Sequence, residues 1–397
     1  SSALPPSPNT NPRLADTRGQ LQHTDYPLYD PRFEHAACGM GFVANISGMR
    51  EHRIVERALE ALANLAHRGA MDADAETSDG VGVMTQIPHR FLAAWLAENG
   101  LPPVADEQLG LGMLFLPRAQ DVAEHARQIL RAAFERHGAA VLAWRPVPVD
   151  TNVLGAAAQR TCPHIEQVLV QRPAGIATDD FERTLFIVRK ESESRLAAAG
   201  ISDAYLVSLS ARTTVYKGLL TAAQLPHFYP DLLHPRFESA LALFHQRYST
   251  NTFPSWRLAQ PMRFLAHNGE INTIQGNRNW MAARETSFAE QWGGDAEYLR
   301  PVIEPEGSDS TSLDNALELL VRSGRPLMHA LTLLIPEAWE RHDELDPATR
   351  AFFQAQAPLM EPWDGPAALV FTDGSVVGAA LDRNGLRPLR SITTTDG

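Results

Sequence analysis

Cysteine is almost missing from this chain: Cys38 and Cys162, far apart, are its only two among 397 residues. A disulfide framework and a cysteine zinc pattern are both excluded, and a reducing compartment is expected. Positive charge is in deficit as well, with 35 Lys and Arg against 47 Asp and Glu, a net charge of −12. That excludes the electrostatic footprint of a nucleic-acid binder. No apolar run approaches the roughly 20 residues that cross a bilayer, and the N-terminus lacks the apolar centre of a secretory signal. The expectation is a cytoplasmic protein without membrane contact. Internal repeats are also absent.

What remains is ordinary globular material, 44% apolar and 21% charged, enough for two average domains or one large multilayer domain. Residues 1 to about 35 carry Pro5, Pro6, Pro8 and Pro12 among Ser, Asn and Thr, and read as an extended leader. A strand is expected at Cys38–Ile46 and an amphipathic helix at Glu51–Ala66, with Ile54, Val55, Ala58, Leu59, Leu62 and Leu65 on one stripe. Asp79–Met84 reads as a glycine-rich strand and Asp121–Arg136 as a helix. Strands are expected at Val168–Val170, Thr184–Arg189 and Ala204–Tyr216, and helices at Leu313–Arg322 and Leu327–Ile335, while Leu241–Tyr248 and Phe264–Ala266 lead into two polar turns. Ala367–Phe371 and Val376–Leu381 form a hairpin about Asp373-Gly374. Leu389–Thr395 reads as a strand whose partner would lie past Gly397, so the chain is expected to be C-terminally incomplete. Runs of strands separated by helical pairs argue for stacked sheets flanked by helices.

The stretch around which the rest is organised is Ala36-Ala37-Cys38-Gly39-Met40-Gly41-Phe42-Val43-Ala44. A thiol opening a strand is a nucleophile if a base lies near it. A cut before Cys38 would supply one, because an α-amine titrates near neutral pH. Four clusters offer complementary chemistry. His245-Gln246-Arg247-Tyr248-Ser249-Thr250 sets a guanidinium near hydroxyls, suited to a carboxylate. Ala266-His267-Asn268-Gly269 sets a side-chain amide beside a closely approachable backbone N–H, as an oxyanion hole requires. Gly307-Ser308-Asp309-Ser310 puts an acid in a polar turn, and Asp382 through Pro388 forms a fourth polar turn. Each also has a plain structural interpretation. Cys38 could be core, Arg247 a surface ion pair, Asn268-Gly269 a hairpin turn, and Ser308 or Asp309 a helix cap.

Together these residues resemble the class II, N-terminal-nucleophile glutamine amidotransferases, in the branch found at the front of glutamate synthase large chains. The matching segments are Cys38 through Phe42, Leu65 through Ala70, His245 through Thr252, Asn268 through Glu285, Leu313 through Leu320, Met360 through Pro366, and Asp382 through Pro388. The cysteine and Asn-Gly motifs belong to the whole class, whereas Gly276–Met281 and Met360–Pro366 point to the glutamate synthase branch. A departure is Ser78-Asp79-Gly80-Val81-Gly82, where Gly-Asp-Gly-Ala-Gly is usual.

The resemblance implies an α+β fold, a four-layer αββα sandwich of the N-terminal nucleophile hydrolase type, over 38–397, with 1–37 a propeptide. It implies Cys38 as nucleophile and, through its α-amine, general base, and Asn268 with Gly269 as oxyanion donors. Arg247 would hold the glutamine α-carboxylate, with Thr250 a second contact, and Asp309 the α-ammonium. Arg68 would either touch substrate or brace the site. The activity implied is release of ammonia from L-glutamine for transfer to 2-oxoglutarate in a synthase domain of the same polypeptide. FMN and an iron–sulfur cluster belong to that missing part, and no cofactor to this segment. The electron donor (NADPH, NADH or ferredoxin) and any small reductase subunit stay open, as does the oligomeric state. Two alternatives also stay open: another class II amidotransferase, such as the phosphoribosyl-pyrophosphate type, and an unprocessed glutamine-binding or regulatory module without turnover. A calcium loop at Asp72, Asp74, Glu76 and Asp79 is rejected because Thr77 and Val83 stand where Gly and Glu are needed. His67 and His89 lack a third ligand for zinc, and Cys162 reads as packing.

Overall fold

The structure is a computed structural model that describes residues 39–65, 77–247 and 254–395. The leader, Cys38, Arg68, Thr250, His67 and the acidic run Asp72–Glu76 therefore lie outside the described residues.

Eleven strands are described: β1 (Gly39–Ala44), β2 (Val81–Gln86), β3 (Leu109–Leu116), β4 (Ala140–Pro146), β5 (His164–Gln171), β6 (Tyr205–Ser210), β7 (Thr213–Gly218), β8 (Leu241–Gln246), β9 (Leu265–Gly269), β10 (Ala367–Thr372) and β11 (Val377–Leu381). The helices are α1 (His52–Asn64), α2 (His89–Glu98), α3 (Gln120–Arg136), α4 (Ala156–Thr161), α5 (Thr178–Ala198), α6 (Leu225–Phe228), α7 (Ile274–Arg284), α8 (Phe288–Trp292), α9 (Asp309–Arg322), α10 (Leu327–Leu334) and α11 (Pro347–Gln356). Every pairing among these strands is antiparallel.

Three hydrogen-bonded sheets result, with strand orders β1-β8-β2-β7, β11-β10-β9 and β4-β5-β3-β6. They make two layers, and the period-2 alternation of side chains shows how. In β3, Leu109, Leu111, Met113 and Phe115 join the core shared with β1, β8, β2 and β7, while Leu114 and Leu116 face α3 and α5. In β9 and β10, Ala266 and Val370 join that same central core, while Leu265, Leu369 and Phe371 face α9 and α10. Arg263, just before β9, ties that three-stranded sheet to the β4-β5-β3-β6 sheet by donating from Nη2 to the Leu206 carbonyl at 2.6 Å. The stripe Ile54, Val55, Ala58, Leu59 and Leu62 closes α1 over the far side of the first sheet. Helices, sheet, sheet and helices follow in that order, which is the αββα sandwich expected.

Two strand expectations are corrected. Thr184–Arg189 lies inside α5, a helix of 21 residues. That helix is buried on two sides: Phe181, Leu185 and Val188 pack on the β3 sheet, while Phe186 and Ile187 pack on the α9 cluster. A helix walled in on both sides carries the continuous apolar run of a buried strand. Over Leu389–Thr395 no strand forms, and Ile392 is 88% exposed. A third expectation is refined, since Ala204–Tyr216 is two strands, β6 and β7, in different sheets. The chain turns between them where Glu182 accepts from Ser210 Oγ and the Ala211 N–H.

Candidate active site

Strand pairing brings several chain segments to one end of the sandwich. Antiparallel pairing of β1 with β8 sets Gly39, the residue after Cys38, opposite Gln246, the residue before Arg247. On the other flank of β8, Val81 of β2 also stands opposite Gln246, and Arg247 N–H donates to the Gly80 carbonyl at 2.8 Å. Arg247 is 6% exposed, so it is no surface ion pair. Gly82 of β2 admits close passage of another segment, since a Cβ there would stand 2.7 Å from the Gln260 carbonyl oxygen. Ser78, where the resembling family has glycine, donates from Oγ to the Leu220 carbonyl and accepts from the Gly80 N–H at 3.2 Å. That departure is absorbed by local hydrogen bonds.

The second layer supplies Asn268 and Gly269 from the end of β9. They are not a tight hairpin turn, because the strand paired with β9 is β10, far along the chain. Alternation turns His267 toward α9, where Nδ1 meets Ser310 Oγ at 2.9 Å, and turns Asn268 inward. There His245 of β8 donates from Nε2 to Asn268 Oδ1 at 2.9 Å, crossing between the two sheets.

Strand β9 is the edge of its sheet, and its outward backbone groups are accounted for in order. Leu265 N–H donates to Asp314 Oδ1, and the Leu265 carbonyl accepts from the Met262 N–H. His267 N–H donates to Gln260 Oε1, and its carbonyl accepts from Gln260 Nε2. On the inner side, the Glu270 N–H donates to the Pro366 carbonyl at 3.0 Å. Ala367, paired with Gly269, directs its N–H and its carbonyl to Asp382. By the alternation of an antiparallel ladder, the Gly269 N–H therefore points to the outer edge, like those of Leu265 and His267.

Asp309 opens α9 as its first residue. Ser308 is the cap, its Oγ accepting from the Thr311 N–H. The Asp309 carboxylate reaches back to accept from the Ile271 N–H at 3.0 Å, two residues past Gly269. Arg278 of α7 braces the turn before it, donating from Nη2 to the Gly307 carbonyl at 2.8 Å and from Nε to Ser312 Oγ. The loop at 360–366 sits behind α7: Asn277 donates to the Pro362 carbonyl, and Thr273 pairs with Asp364. The segments Gly276–Met281 and Met360–Pro366 thus scaffold the Gly269 and Asp309 turns. Asp382 gathers the N–H groups of Ala367, Asn384, Leu386 and Arg387. Burial opposes its ionisation, and these donors outweigh burial to hold its carboxyl below the usual range.

The electrostatics keep the central histidines neutral. Burial, aided by the charge of Arg247, pushes His245 down to about 3, against the pull of its bond to Asn268 and of the His267 backbone. Burial likewise lowers His267. Burial pushes the Cys162 thiol up to about 11, and the sulfur sits 3.6 Å from the Pro163 carbonyl, a packing role. Among the described residues no three His, Cys, Asp or Glu are grouped to hold a metal ion. An iron–sulfur cluster needs about four thiolates, and two cysteines in the chain do not fit one.

Of the residues singled out in the sequence, Asn268 and Gly269 end β9, Asp309 bonds the Ile271 N–H two residues further on, and Arg247 follows β8, whose His245 reaches Asn268. Cys38, Arg68 and Thr250 lie outside the described residues. Gln260 stands in no quoted segment, whereas His245, Arg278 and Asp382 stand in quoted segments without a role of their own. No local pattern marks a side chain that works by reaching a distant backbone.

A family model of the class-II glutamine amidotransferases matches residues 38–397. The chain belongs to that family. It is 45% identical over 371 residues to the glutamate synthase [NADPH] large chain of Bacillus subtilis, covering 93% of this chain and 24% of that protein. It is 46% identical over 374 residues to ferredoxin-dependent glutamate synthase 1 of Arabidopsis thaliana, covering 93% of this chain and 23% of that protein. With ferredoxin-dependent glutamate synthase 2 of Synechocystis the identity is 47% over 367 residues, 91% of this chain and 23% of that protein. The chain thus spans about a quarter of the length of these relatives. As a class II amidotransferase domain it resembles glutamate synthases, in line with the segments at 276–281 and 360–366. No described helix is long and apolar enough to cross a membrane.

Proposed function

We propose that this domain hydrolyses L-glutamine and hands on the ammonia, with Cys38 as the nucleophile. The supporting observation is the convergence of Arg247, Asn268, Gly269 and Asp309 about the start of β1, the strand that follows Cys38 directly. The Cys38 α-amine, exposed by removal of residues 1–37, takes the thiol proton, and the thiolate attacks the glutamine δ-carbonyl. Asn268 Nδ2 and the Gly269 N–H receive the oxyanion. Collapse breaks the C–N bond, the ammonium form of the α-amine protonates the departing ammonia, and a γ-glutamyl thioester is left. Water then hydrolyses that thioester to glutamate and restores the thiol. Arg247, with Thr250, grips the α-carboxylate and Asp309 the α-ammonium, which selects a free amino acid over a peptide. Arg68 either contacts the substrate or braces the site.

In the full polypeptide the ammonia passes to 2-oxoglutarate in a synthase domain that carries the FMN and the iron–sulfur cluster. Electrons come from a ferredoxin or through a small pyridine-nucleotide reductase subunit, as the relatives' names suggest for those proteins. A cytoplasmic setting suits a cysteine nucleophile that must stay reduced.

Intact-mass measurement of the expressed protein and ammonia release from glutamine test this reading. A mature chain beginning at Cys38 and no turnover in Cys38→Ala are expected. Retained residues 1–37 would favour an inert glutamine-binding module, and equal rates in Cys38→Ala would remove Cys38 from the chemistry.

A further inference from the structure

His245 is fully buried in β8, an inner strand of the first sheet, flanked by Met40 of β1 and Gly82 of β2. Its ring spans the space between layers to the Asn268 side chain on the second sheet. An amide presents an oxygen at one end and two N–H groups at the other, and which end faces the ring decides which faces away. A neutral imidazole has one N–H. His245 Nδ1 has no hydrogen-bond partner among the described residues, whereas Nε2 faces Asn268. A proton on Nδ1 would be buried without an acceptor, so the favoured tautomer carries it on Nε2. That N–H takes the amide oxygen, and Nδ2 is turned away from the ring.

We propose that His245 is a positioning residue: its Nε2–H fixes the flip state of the Asn268 amide so that Nδ2 serves as an oxyanion donor. The ring holds no substrate and moves no proton. Two features of the fold make the arrangement rigid. The β8 backbone is pinned by strands on both sides, and β9 is pinned by Gln260, which clamps both backbone groups of His267. Between two fixed strands the amide meets the ring with either its oxygen or its nitrogen, and an Nε2–H selects the oxygen. Because the ring stays neutral, the orientation persists across the pH range in which a thiolate can form.

The inference rests on the oxyanion role proposed for Asn268, and the test separates the two. In the full-length polypeptide, His245→Leu removes the donor. His245→Gln restores one, since its Nε2 sits where the imidazole Nε2 was. His245→Asn keeps polarity but does not reach. His245→Leu and His245→Asn are expected to lower kcat for glutamine hydrolysis about 10- to 100-fold, no more than the loss of about 100- to 1,000-fold on removing one oxyanion donor outright. KM should stay within about twofold, because Arg247 and Asp309 are untouched, and His245→Gln should recover most of the rate. In an Asn268→Ala background, His245→Leu should cost nothing further. Losses that multiply in the double variant would overturn the proposal. So would a Gln variant as slow as the Leu variant, or a change confined to KM. Wild-type kcat in His245→Leu with Asn268→Ala impaired would overturn this proposal alone. Wild-type kcat in Asn268→Ala would take down the oxyanion reading and this one together.

Discussion

Gly269 and Gly365 each face the backbone of the other's next residue where β9 ends and β10 begins. A Cβ on Gly269, whose φ is 123°, would stand 1.8 Å from the Pro366 carbonyl oxygen. A Cβ on Gly365 would stand 2.0 Å from the Glu270 carbonyl oxygen. Neither clash can be relieved by a side-chain rotation, because both obstacles are backbone.

Gly365→Ala should therefore disturb the proposed oxyanion turn from behind, without touching substrate. We expect a loss of about 1–3 kcal/mol in stability and a larger proportional fall in glutaminase kcat than in melting temperature. Gly269→Ala should be worse on both counts. Full kcat in Gly365→Ala would show that the turn tolerates displacement.

Arg278 holds the turn that carries Asp309 through the Gly307 carbonyl and Ser312 Oγ. Arg278→Ala should raise KM for glutamine about tenfold, equivalent to about 1.4 kcal/mol, with kcat changed little. Steady-state kinetics decide this, and a fall confined to kcat would argue against the bracing role.

His89 opens α2 and is buried, with Asp106 and Arg50 as its charged neighbours. Burial lowers its pKa to about 4 from 6.5, Asp106 opposing and Arg50 adding to the shift. Between those values the unfolded chain binds a proton that the folded ring does not, so stability falls as pH falls through this window. At pH 5 the effect is about 2 kcal/mol. Urea unfolding at pH 7.5 and pH 5 should show the loss, and His89→Gln should shrink it. The same loss in the variant would assign it elsewhere, to His245 and His267 for example, which are also lowered.

Asp382 ties the start of β10 to the turn at 383–387 through four backbone N–H groups. Asp382→Asn exchanges an acceptor oxygen for a donor facing those groups. A destabilisation of about 1–3 kcal/mol is expected, read as a lowered melting temperature. An unchanged transition would mean that the turn is held by other contacts.

Local pattern reached some of this architecture and missed the rest for definite reasons. The stripe on α1 and the hairpin of β10 and β11 announced themselves, because one face of each meets the core and the other does not. The run at 184–189 misled because α5 is covered on two sides, which erases the periodicity that marks a helix. The close apposition of Gly80 and Gly82 with the chain at 259–260 gave no local cue beyond the glycines themselves.

The amino-acid order by itself determined which chemical groups are available: one thiol opening a strand, a guanidinium, an amide beside a glycine, and a carboxylate heading a helix. It also carried the family motifs, since those are runs of neighbouring residues. Only the tertiary structure decided how these groups meet. The register of β1, β8 and β2 sets Gly39 and Arg247 at one end of a sheet, and the stacking of a second sheet brings His245 to Asn268. Contacts between layers join residues with no fixed separation along the chain, so their geometry follows from packing and has no spacing to be read.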